Sequence, residues 1–524
     1  MATRELFDAA ERIKRNVDDL VARYARAHRD IVYADLRFET VFNRSASATN
    51  GEPRESIETE SAGFAVTVHA GVGGAVGHGQ IGVEIGRVAL DERKLKAAIA
   101  DAFANARQRA LASAREKKAL VKELGDRARS LAHQGFPPRR AIRDDVEAAF
   151  RADPRTLDSK KIEGLALQSS RAIGSLGDAV AFNAVSAMSE LRHEIFANTE
   201  GSLISQRCAF SQGDTYVVAQ AGDGHQEIYD TIGQQRGFEA LEEGWRGELL
   251  SNASLEKFSL DLAREALDLA AAPVLKPPDG EVVVVTDPHF NALVAHEIVG
   301  HPCEADRALK MEAAYAGRSW LWRSSADNEI GKPIGSRFVS ACSDPTLDGY
   351  GHYRYDHEGT PGRRVMHIEG GLMREFMNSR TTAAALGVEP NGSARASEVY
   401  HVPLIRMSNT FFMPGVRSPE EIIGEVERGY YVCGHAIPSI AESRENFRIS
   451  ARRIYEIDHG RIGRLFRSGS VMGDSKRFFL NVDAAGNDLK FVAIPNCGKG
   501  QPMQVKRMSN GGPTMRSRAR LGGG

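Results

Sequence analysis

Three stretches in the first half of the chain carry apolar residues at helical spacing. In the second stretch, Leu95, Ile99, Ala102 and Phe103 fall on one face, and alanine and charged residues fill the other faces. This pattern predicts amphipathic helices that each bury one apolar stripe. The predicted helices span residues 4–28, 91–132 and 256–271.

Between these helices, apolar and polar residues alternate over short runs, as at residues 32–40 and 63–69. Strict alternation is typical of strands with one buried face. Four consecutive valines at 282–285 predict a buried strand, and short strand-like runs dominate residues 337–494. The sequence therefore predicts an α+β fold. Its N-terminal domain is α/β-sandwich-like, with an antiparallel sheet and long helices, and its C-terminal domain is mostly antiparallel β structure.

A proline-rich stretch separates these two patterns. Pro273, Pro277 and Pro278 follow the third predicted helix and precede the valine run. Prolines in such a cluster interrupt both helices and central strands. We therefore predict domains at residues 1–275 and 276–524.

A glycine-rich return at residues 71–86 contains a match to the dinucleotide-binding pattern G-x-G-x-x-G, at residues 77–82. That pattern binds a nucleotide only where a strand precedes it and a helix follows it. Here Val83 and Ile85 continue a strand-like alternation. The segment therefore predicts a hairpin, in which glycines allow tight turns and close backbone approach.

Composition adds limits on partners and location. The 524 residues carry a formal net charge of −1 and are 42% hydrophobic, which is typical of globular proteins and gives no global attraction to nucleic acid or membranes. The N-terminus lacks the apolar core of a signal peptide, and no apolar run approaches the roughly 20 residues of a membrane span. The five cysteines are few and scattered, as in a reducing compartment. We expect a cytoplasmic protein with no nucleic-acid or membrane partner.

The strongest chemical signal is a pair of histidines that bracket a glutamate, His296-Glu297-x-x-x-His301. In zinc hydrolases, histidine nitrogens hold Zn²⁺ and a neighbouring glutamate handles the proton of the attacking water. On an ideal helix, positions i and i+5 lie about 140° apart, so the two histidines reach one metal only if the helix deforms. Two deformations are predicted. Either His301 leaves the α region because Pro302 follows it, or a π-type bulge forms near Gly300.

A catalytic zinc site usually has three protein ligands, and this helix supplies two. The candidates for the third are Cys303, the carboxylates of Glu304 and Asp306, and the distant Cys497. Spacing alone does not choose among them. The competing interpretation is that both histidines are hydrogen-bonded core residues on a bent helix.

Three further segments follow the histidine motif in order. They are residues 355–362 (Tyr-Asp-His-Glu-Gly-Thr-Pro-Gly), 403–410 (Pro-Leu-Ile-Arg-Met-Ser-Asn-Thr) and 497–514, which begins Cys-Gly-Lys-Gly-Gln. With the histidine motif, they give the chain a resemblance to the TldD/PmbA (TldD/TldE) family of metallopeptidases. The resemblance implies that His296, His301 and Cys497 bind Zn²⁺, and that the C-terminal domain carries a metal-binding helix. It assigns Glu297 the role of general base.

The resemblance also implies an active TldD-like subunit, because the partner-type subunits of the family lack this metal helix. It implies a homodimer, or a heterodimer with a TldE-like paralogue, whose enclosed cleft admits peptide or unfolded protein substrates. The expected activity is zinc-dependent hydrolysis of peptide bonds. Two alternatives remain: a non-catalytic or partner-dependent peptide-binding subunit, and a hydrolase of a non-peptide amide. Pro302-Cys303, and a segment 430–443 without the family's glycine-rich run, depart from the family pattern and bear on substrate preference.

Overall fold

The computed structural model describes residues 10–85, 92–125, 136–315 and 317–523. Within these residues, the strands of the N-terminal half form one sheet, and those of the C-terminal half form three. The N-terminal strands are β1 (Ile31–Thr49), β2 (Glu52–Val72), β3 (Ala75–Ile85), β4 (Arg143–Val146), β5 (Val180–Asn198), β6 (Leu203–Ala221) and β7 (Gly224–Gln234).

The remaining elements are assigned as follows. The C-terminal strands are β8 (Glu281–Thr286), β9 (Ala341–Ser343), β10 (Val365–Glu369), β11 (Leu372–Met373), β12 (Ala394–Arg395), β13 (Leu404–Ile405), β14 (Asn409–Phe412), β15 (Arg428–Ile440), β16 (Asn446–Asp458), β17 (Arg461–Phe466), β18 (Gly469–Asp474), β19 (Ala484–Ala485), β20 (Lys490–Lys499), β21 (Gln504–Gly512) and β22 (Met515–Gly523). The α-helices are α1 (Val17–Arg26), α2 (Glu92–Leu124), α3 (Ser159–Gly174), α4 (Glu239–Glu242), α5 (Leu255–Ala271), α6 (Pro288–Val294), α7 (Ala305–Ala308), α8 (Arg380–Leu386), α9 (Pro419–Gly424) and α10 (Ser475–Leu480).

The N-terminal sheet has the order β3-β2-β1-β5-β6, and β4 and β7 both pair with β6. The β1–β2 hairpin turns at Asn50 and Gly51, whose φ angles of 50° and 76° suit an Asn-Gly turn. Residues 77–82 lie in β3, antiparallel to β2, so the hairpin prediction is confirmed. A Cβ on Gly77 would come within 1.9 Å of the Ala110 carbonyl oxygen in α2. Glycine is therefore needed here for close packing of helix on strand.

The two faces of β1 are buried by different partners. Leu36 and Phe38 pack in a cluster with α1 and α2. Arg37 and Glu39, which point to the opposite face, are also buried, each 3% exposed. The Arg37 guanidinium donates to the His401 carbonyl oxygen at 3.0 Å. The polar half of the alternation therefore faces the C-terminal half of the chain.

Two sheets dominate the C-terminal half. One has the order β15-β8-β22-β18-β16-β17, and an additional β15–β16 pairing closes five of its strands into a ring. The predicted valine strand is β8 in this ring. The other sheet has the order β11-β10-β9-β14-β21-β20 and ends on the β20–β21 hairpin. The segment after β8 lies between these two sheets and carries both histidines of the motif.

Two predicted helices, 91–132 and 256–271, correspond to α2 and α5. Of the helix predicted at 4–28, α1 covers Val17–Arg26, while residues 1–9 and 126–132 lie outside the described residues. The division after residue 275 stays a prediction. None of the described helices combines the length and the apolar character that a membrane span needs.

Candidate metal centre

A short π-helical turn brings the two motif histidines to the same side. Asp287 begins α6 by accepting a hydrogen bond from the Phe290 amide at 2.7 Å. The chain then forms a π turn at Ala295–Gly300, where the His301 N–H donates to the His296 carbonyl, an i→i+5 bond. The imidazole centroids lie 4.8 Å apart. The predicted π-type deformation is confirmed.

The prediction that His301 leaves the α region is wrong, although the π turn does end before it and a 3-10 turn begins there. Its φ of −61° and ψ of −42° stay in the α region, although Pro302 follows. The π turn supplies the rotation, so the backbone at His301 has no need to change. Gly300 allows this turn to pack closely against Met407, because a Cβ there would come within 1.9 Å of Met407 Sδ.

Cys497 completes a group of three possible metal ligands. It lies in β20, 196 residues after His301, and its Sγ is 3.5 Å from His301 Nε2. One donor atom from each of His296, His301 and Cys497 lies within 4.8 Å of the other two. All three side chains are buried, at 4%, 4% and 5% exposure. Across the described part of the chain, no other His, Cys, Asp or Glu group of this kind is found.

Neighbouring side chains fix the orientation of both imidazoles. His296 Nδ1 lies 2.9 Å from Asn510 Oδ1. His301 Nδ1 lies 3.1 Å from Glu304 Oε2. Because both neighbours are acceptors, each Nδ1 carries the proton and each Nε2 is left as a metal donor.

The electrostatics of the group favour a thiolate at Cys497. Burial alone would raise the pKa of this thiol, but His296, His301 and Arg406 hold it well below its usual range. Burial would likewise lower the pKa of His296, but the Cys497 thiolate raises it to about 9. Two imidazoles and a thiolate are ligands that zinc takes in proteins, so the donor set fits Zn²⁺.

The other sequence candidates for the third ligand have different roles. Cys303 is fully buried in an apolar cluster, and burial raises its pKa well above the usual value. Glu304 orients His301 and forms an ion pair with Lys499 at 3.1 Å. The carboxylate of Asp306 lies 2.7 Å from the same ammonium group. Glu304 and Asp306 therefore have partners of their own, and neither belongs to the group of three possible ligands.

Glu297 lies beside the centre in an ion pair with Arg444. The Arg444 guanidinium also donates to the Glu297 carbonyl oxygen at 3.2 Å. Burial alone would raise the pKa of Glu297, but Arg444 and the two histidines lower it to about 2. Arg444 occupies a left-handed turn with φ of 63°, and its carbonyl accepts a 2.6 Å hydrogen bond from Ser475.

Sequence reasoning missed three residues around this centre: Arg444, Asn510 and Arg406. Arg444 lies 147 residues from its partner Glu297, in a turn without any local signature. Arg406 and Asn510 fall within the segments at 403–410 and 497–514, which mark the region but not the side chain.

Comparison with known proteins gives the family. Residues 279–521 match the model for the PmbA/TldA metallopeptidase C-terminal domain. A metalloprotease of Methanothermobacter thermautotrophicus is 32% identical over 348 residues, which cover 66% of this chain and 71% of the relative. The chain belongs to the TldD/PmbA family. A zinc metalloprotease TldD homolog of Saccharolobus solfataricus is 27% identical over 341 residues, or 64% of this chain and 70% of that protein.

Solved structures share the fold of this chain. A putative modulator of DNA gyrase from Thermotoga maritima superposes with a TM-score of 0.69 at 16% identity, over 97% of this chain and all (100%) of that one. TldE from Thermococcus kodakarensis gives 0.67 at 16% identity, over 96% and 99% of the two chains. At this identity, the likeness bears on the α+β fold alone.

Proposed function

We propose that this chain is a zinc-dependent peptidase that hydrolyses small or unfolded peptides in an enclosed cleft. His296, His301 and Cys497 hold the zinc, and Glu297 is the general base. The observation that carries the proposal is that the Cys497 thiolate meets the two imidazoles beside that carboxylate, although Cys497 lies 196 residues after His301. The name zinc metalloprotease of one relative supports the choice of metal and reaction class.

Each residue has a role in the proposed reaction. A bound zinc ion supplies Lewis acidity to the scissile carbonyl. Glu297 takes a proton from the attacking water and delivers it to the leaving amine. Arg444 fixes the Glu297 carboxylate by holding both its side chain and its backbone carbonyl. Because the centre is buried, water and substrate approach a site with little competing solvent.

A Glu297→Gln variant tests the role of the base. We expect it to keep its zinc, because Glu297 is not in the donor group, and to lose cleavage of an unstructured, casein-like peptide. Glu427→Gln, at an exposed position, is the matched control and is expected to cleave normally. Zinc-loaded Glu297→Gln that cleaves at the wild-type rate would exclude Glu297 as the base.

The active assembly is part of the proposal. We infer a homodimer or a heterodimer with a TldE-like paralogue, located in the cytoplasm, and the fold shared with TldE supports this assembly. The assay is therefore run on the chain alone and mixed with a paralogue. Zinc-loaded protein that binds peptides without cleaving them in either case would indicate a peptide-binding subunit. Activity on small amides with none on peptides would indicate an amidase.

A further inference from the structure

A cavity of about 220 Å³ lies between the N-terminal sheet and the C-terminal half. We call it the basic cavity. Its N-terminal wall includes Glu190, Arg192 and Glu194 from β5, and its C-terminal wall includes Arg395 and Lys506. None of these residues belongs to the donor group of the metal centre.

The charges on the N-terminal wall are compensated. Glu190 pairs with Arg507 at 2.8 Å, and Arg192 pairs with Glu39 at 2.8 Å. Glu194 lies 3.3 Å from a ring nitrogen of His357. Each of these carboxylates has a partner of its own. Glu194 also raises the pKa of Lys506 and Arg395 on the opposite wall, but it forms an ion pair with neither.

The two cations on the C-terminal wall lack such partners. Among the described residues, the Lys506 ammonium group forms no hydrogen bond or ion pair. Burial together with Arg192 lowers its pKa to about 7, although Glu194 acts in the opposite direction. Arg395 is 7% exposed and donates to the Met407 carbonyl oxygen. Its guanidinium lies 4.3 Å from the Tyr353 ring centroid, and its Nε is buried without a partner. No carboxylate of the described residues lies within ion-pair distance of either cation.

The basic cavity adjoins the metal centre through the β20–β21 hairpin. Lys506 lies directly opposite Cys497 in that antiparallel pair, and paired strands are about 4.8 Å apart. Pro495, two residues before Cys497, also lines the cavity. Between the two sites, Arg406 donates to the Cys497 carbonyl oxygen. Arg406 lowers the pKa of both the Cys497 thiol and the Arg395 guanidinium, as a nearby positive charge must.

We propose that the basic cavity is a carboxylate-binding subsite of the metal centre, where Lys506 and Arg395 bind a carboxylate of the peptide substrate. The proposal rests on the peptidase function and names a substrate class for it. Buried Arg395 and partly buried Lys506 lie close together without an ion pair of their own, which costs free energy, and a bound carboxylate lowers that cost. The carboxylate comes either from the C-terminus of the peptide or from an acidic side chain, which share this chemistry.

Substitution of Glu398 tests the proposal through an expected increase in carboxylate affinity. It also lines the basic cavity and is partly exposed, and its side chain forms no hydrogen bond within the described residues. Its negative charge opposes the binding of an anion. Glu398→Gln is therefore expected to tighten carboxylate binding, whereas Lys506→Met is expected to weaken it.

Peptide binding to the full-length, zinc-loaded Glu297→Gln variant measures the effect without turnover. Three versions of one unstructured peptide are titrated by calorimetry: the free acid, the C-terminal amide, and the free acid with its single internal Glu replaced by Gln. Loss of the recognised carboxylate is expected to weaken binding about tenfold to a hundredfold, as for a hydrogen bond between charged groups. The peptide version that weakens identifies the source.

Lys506→Met, added to that variant, is expected to weaken only the peptides that carry the recognised carboxylate. Lys490→Met, an exposed lysine on the same hairpin, is the control and leaves all three affinities unchanged. Equal affinity for the three peptides, equal weakening of all three by Lys506→Met, or no peptide binding would overturn the subsite. Failure of wild-type protein to cleave peptides is measured separately and would overturn the peptidase function while leaving the binding comparison intact.

Discussion

The candidate metal centre and the basic cavity both contain charged side chains, but they differ in how these charges are paired. At the candidate metal centre, Asn510 contacts His296 and Glu304 contacts His301, so each of the two imidazoles has an outer partner. At the basic cavity, Lys506 and Arg395 form no ion pair with a carboxylate of the described residues, and Glu194 acts on them only from a longer distance.

We expect the candidate metal centre to hold a permanently bound ion, and the basic cavity to bind a ligand that exchanges. Outer partners orient metal ligands before the ion binds, so the donor atoms are already in position for it. Cations without an ion pair instead gain a partner when an anionic ligand binds, and such a ligand can exchange with each turnover. The comparison predicts that substitutions at the metal centre change metal content and kcat, while substitutions in the cavity change KM.

Cys497→Ser gives the largest expected effect, because it removes a donor from the metal centre. We expect zinc content to fall and peptidase activity to drop by about 4 kcal/mol of transition-state stabilisation, about a thousandfold. Metal analysis and cleavage of an unstructured peptide measure both quantities.

Cys208→Ser makes the same chemical change in the wall of the basic cavity and serves as the control. It is expected to keep full zinc content. If both variants retain zinc equally, the thiolate of Cys497 is not a ligand. The expectation that only substitutions at the metal centre change metal content would then be wrong.

The fold was predictable where a pattern is local. Helical periodicity identified α2 and α5, the run of four valines identified β8, and alternation identified part of β1. The sequence did not show that the polar face of β1 is buried, because Arg37 and Glu39 meet partners more than 300 residues away, such as His401. Alternation reports two faces but not what covers each one.

The candidate site divides in the same way. His296, Glu297 and His301 lie in one short segment, so their spacing and helix geometry were enough to predict them as one site. Cys497 followed only from the family resemblance, since spacing left several candidates. Arg444 was not identifiable, because a long-range contact through a turn leaves no periodicity in the sequence.

Acid titration of Glu190 tests the compensated wall of the cavity. Burial would raise its pKa, but Arg507 and Arg192 lower it to about 2, below the ordinary 4.5. A depressed carboxyl pKa adds stability that is complete above about pH 4.5 and is lost as pH falls toward 2. Glu190→Gln is therefore expected to cost about 3 kcal/mol of unfolding free energy at pH 7, and less as pH approaches 2.

Denaturant unfolding of both proteins between pH 7 and about pH 2.5 measures this difference. Glu427→Gln, an exposed change of the same kind, is expected to follow the wild type at every pH. A constant gap between wild type and Glu190→Gln across this range would show that the carboxylate is not stabilised by its ion pairs.

Asn510→Ala tests the outer partners of the metal centre. The substitution removes the acceptor that orients His296 but leaves all three donors in place. Loss of such a partner typically weakens metal binding about tenfold to a hundredfold. Competition with a chelator measures the zinc affinity, and Asn446→Ala, at an exposed position, is the control. Unchanged affinity in Asn510→Ala would show that the centre does not depend on outer orientation.

Substitution of Arg444 gives the smallest expected effect on activity, and it separates the two regions by their effects on kcat and KM. Arg444→Gln removes the charge that fixes Glu297, so we expect kcat to fall about tenfold with zinc content unchanged. Arg444→Lys restores the charge but cannot reproduce the forked contact to the Glu297 side chain and carbonyl, so it should recover only part of the rate. KM should stay near the wild-type value in both variants, because Arg444 lies at the metal centre, whereas Lys506→Met should raise KM and leave kcat. If the Arg444 variants changed KM instead, this guanidinium would be binding substrate, and the compensated and uncompensated cations would share one role.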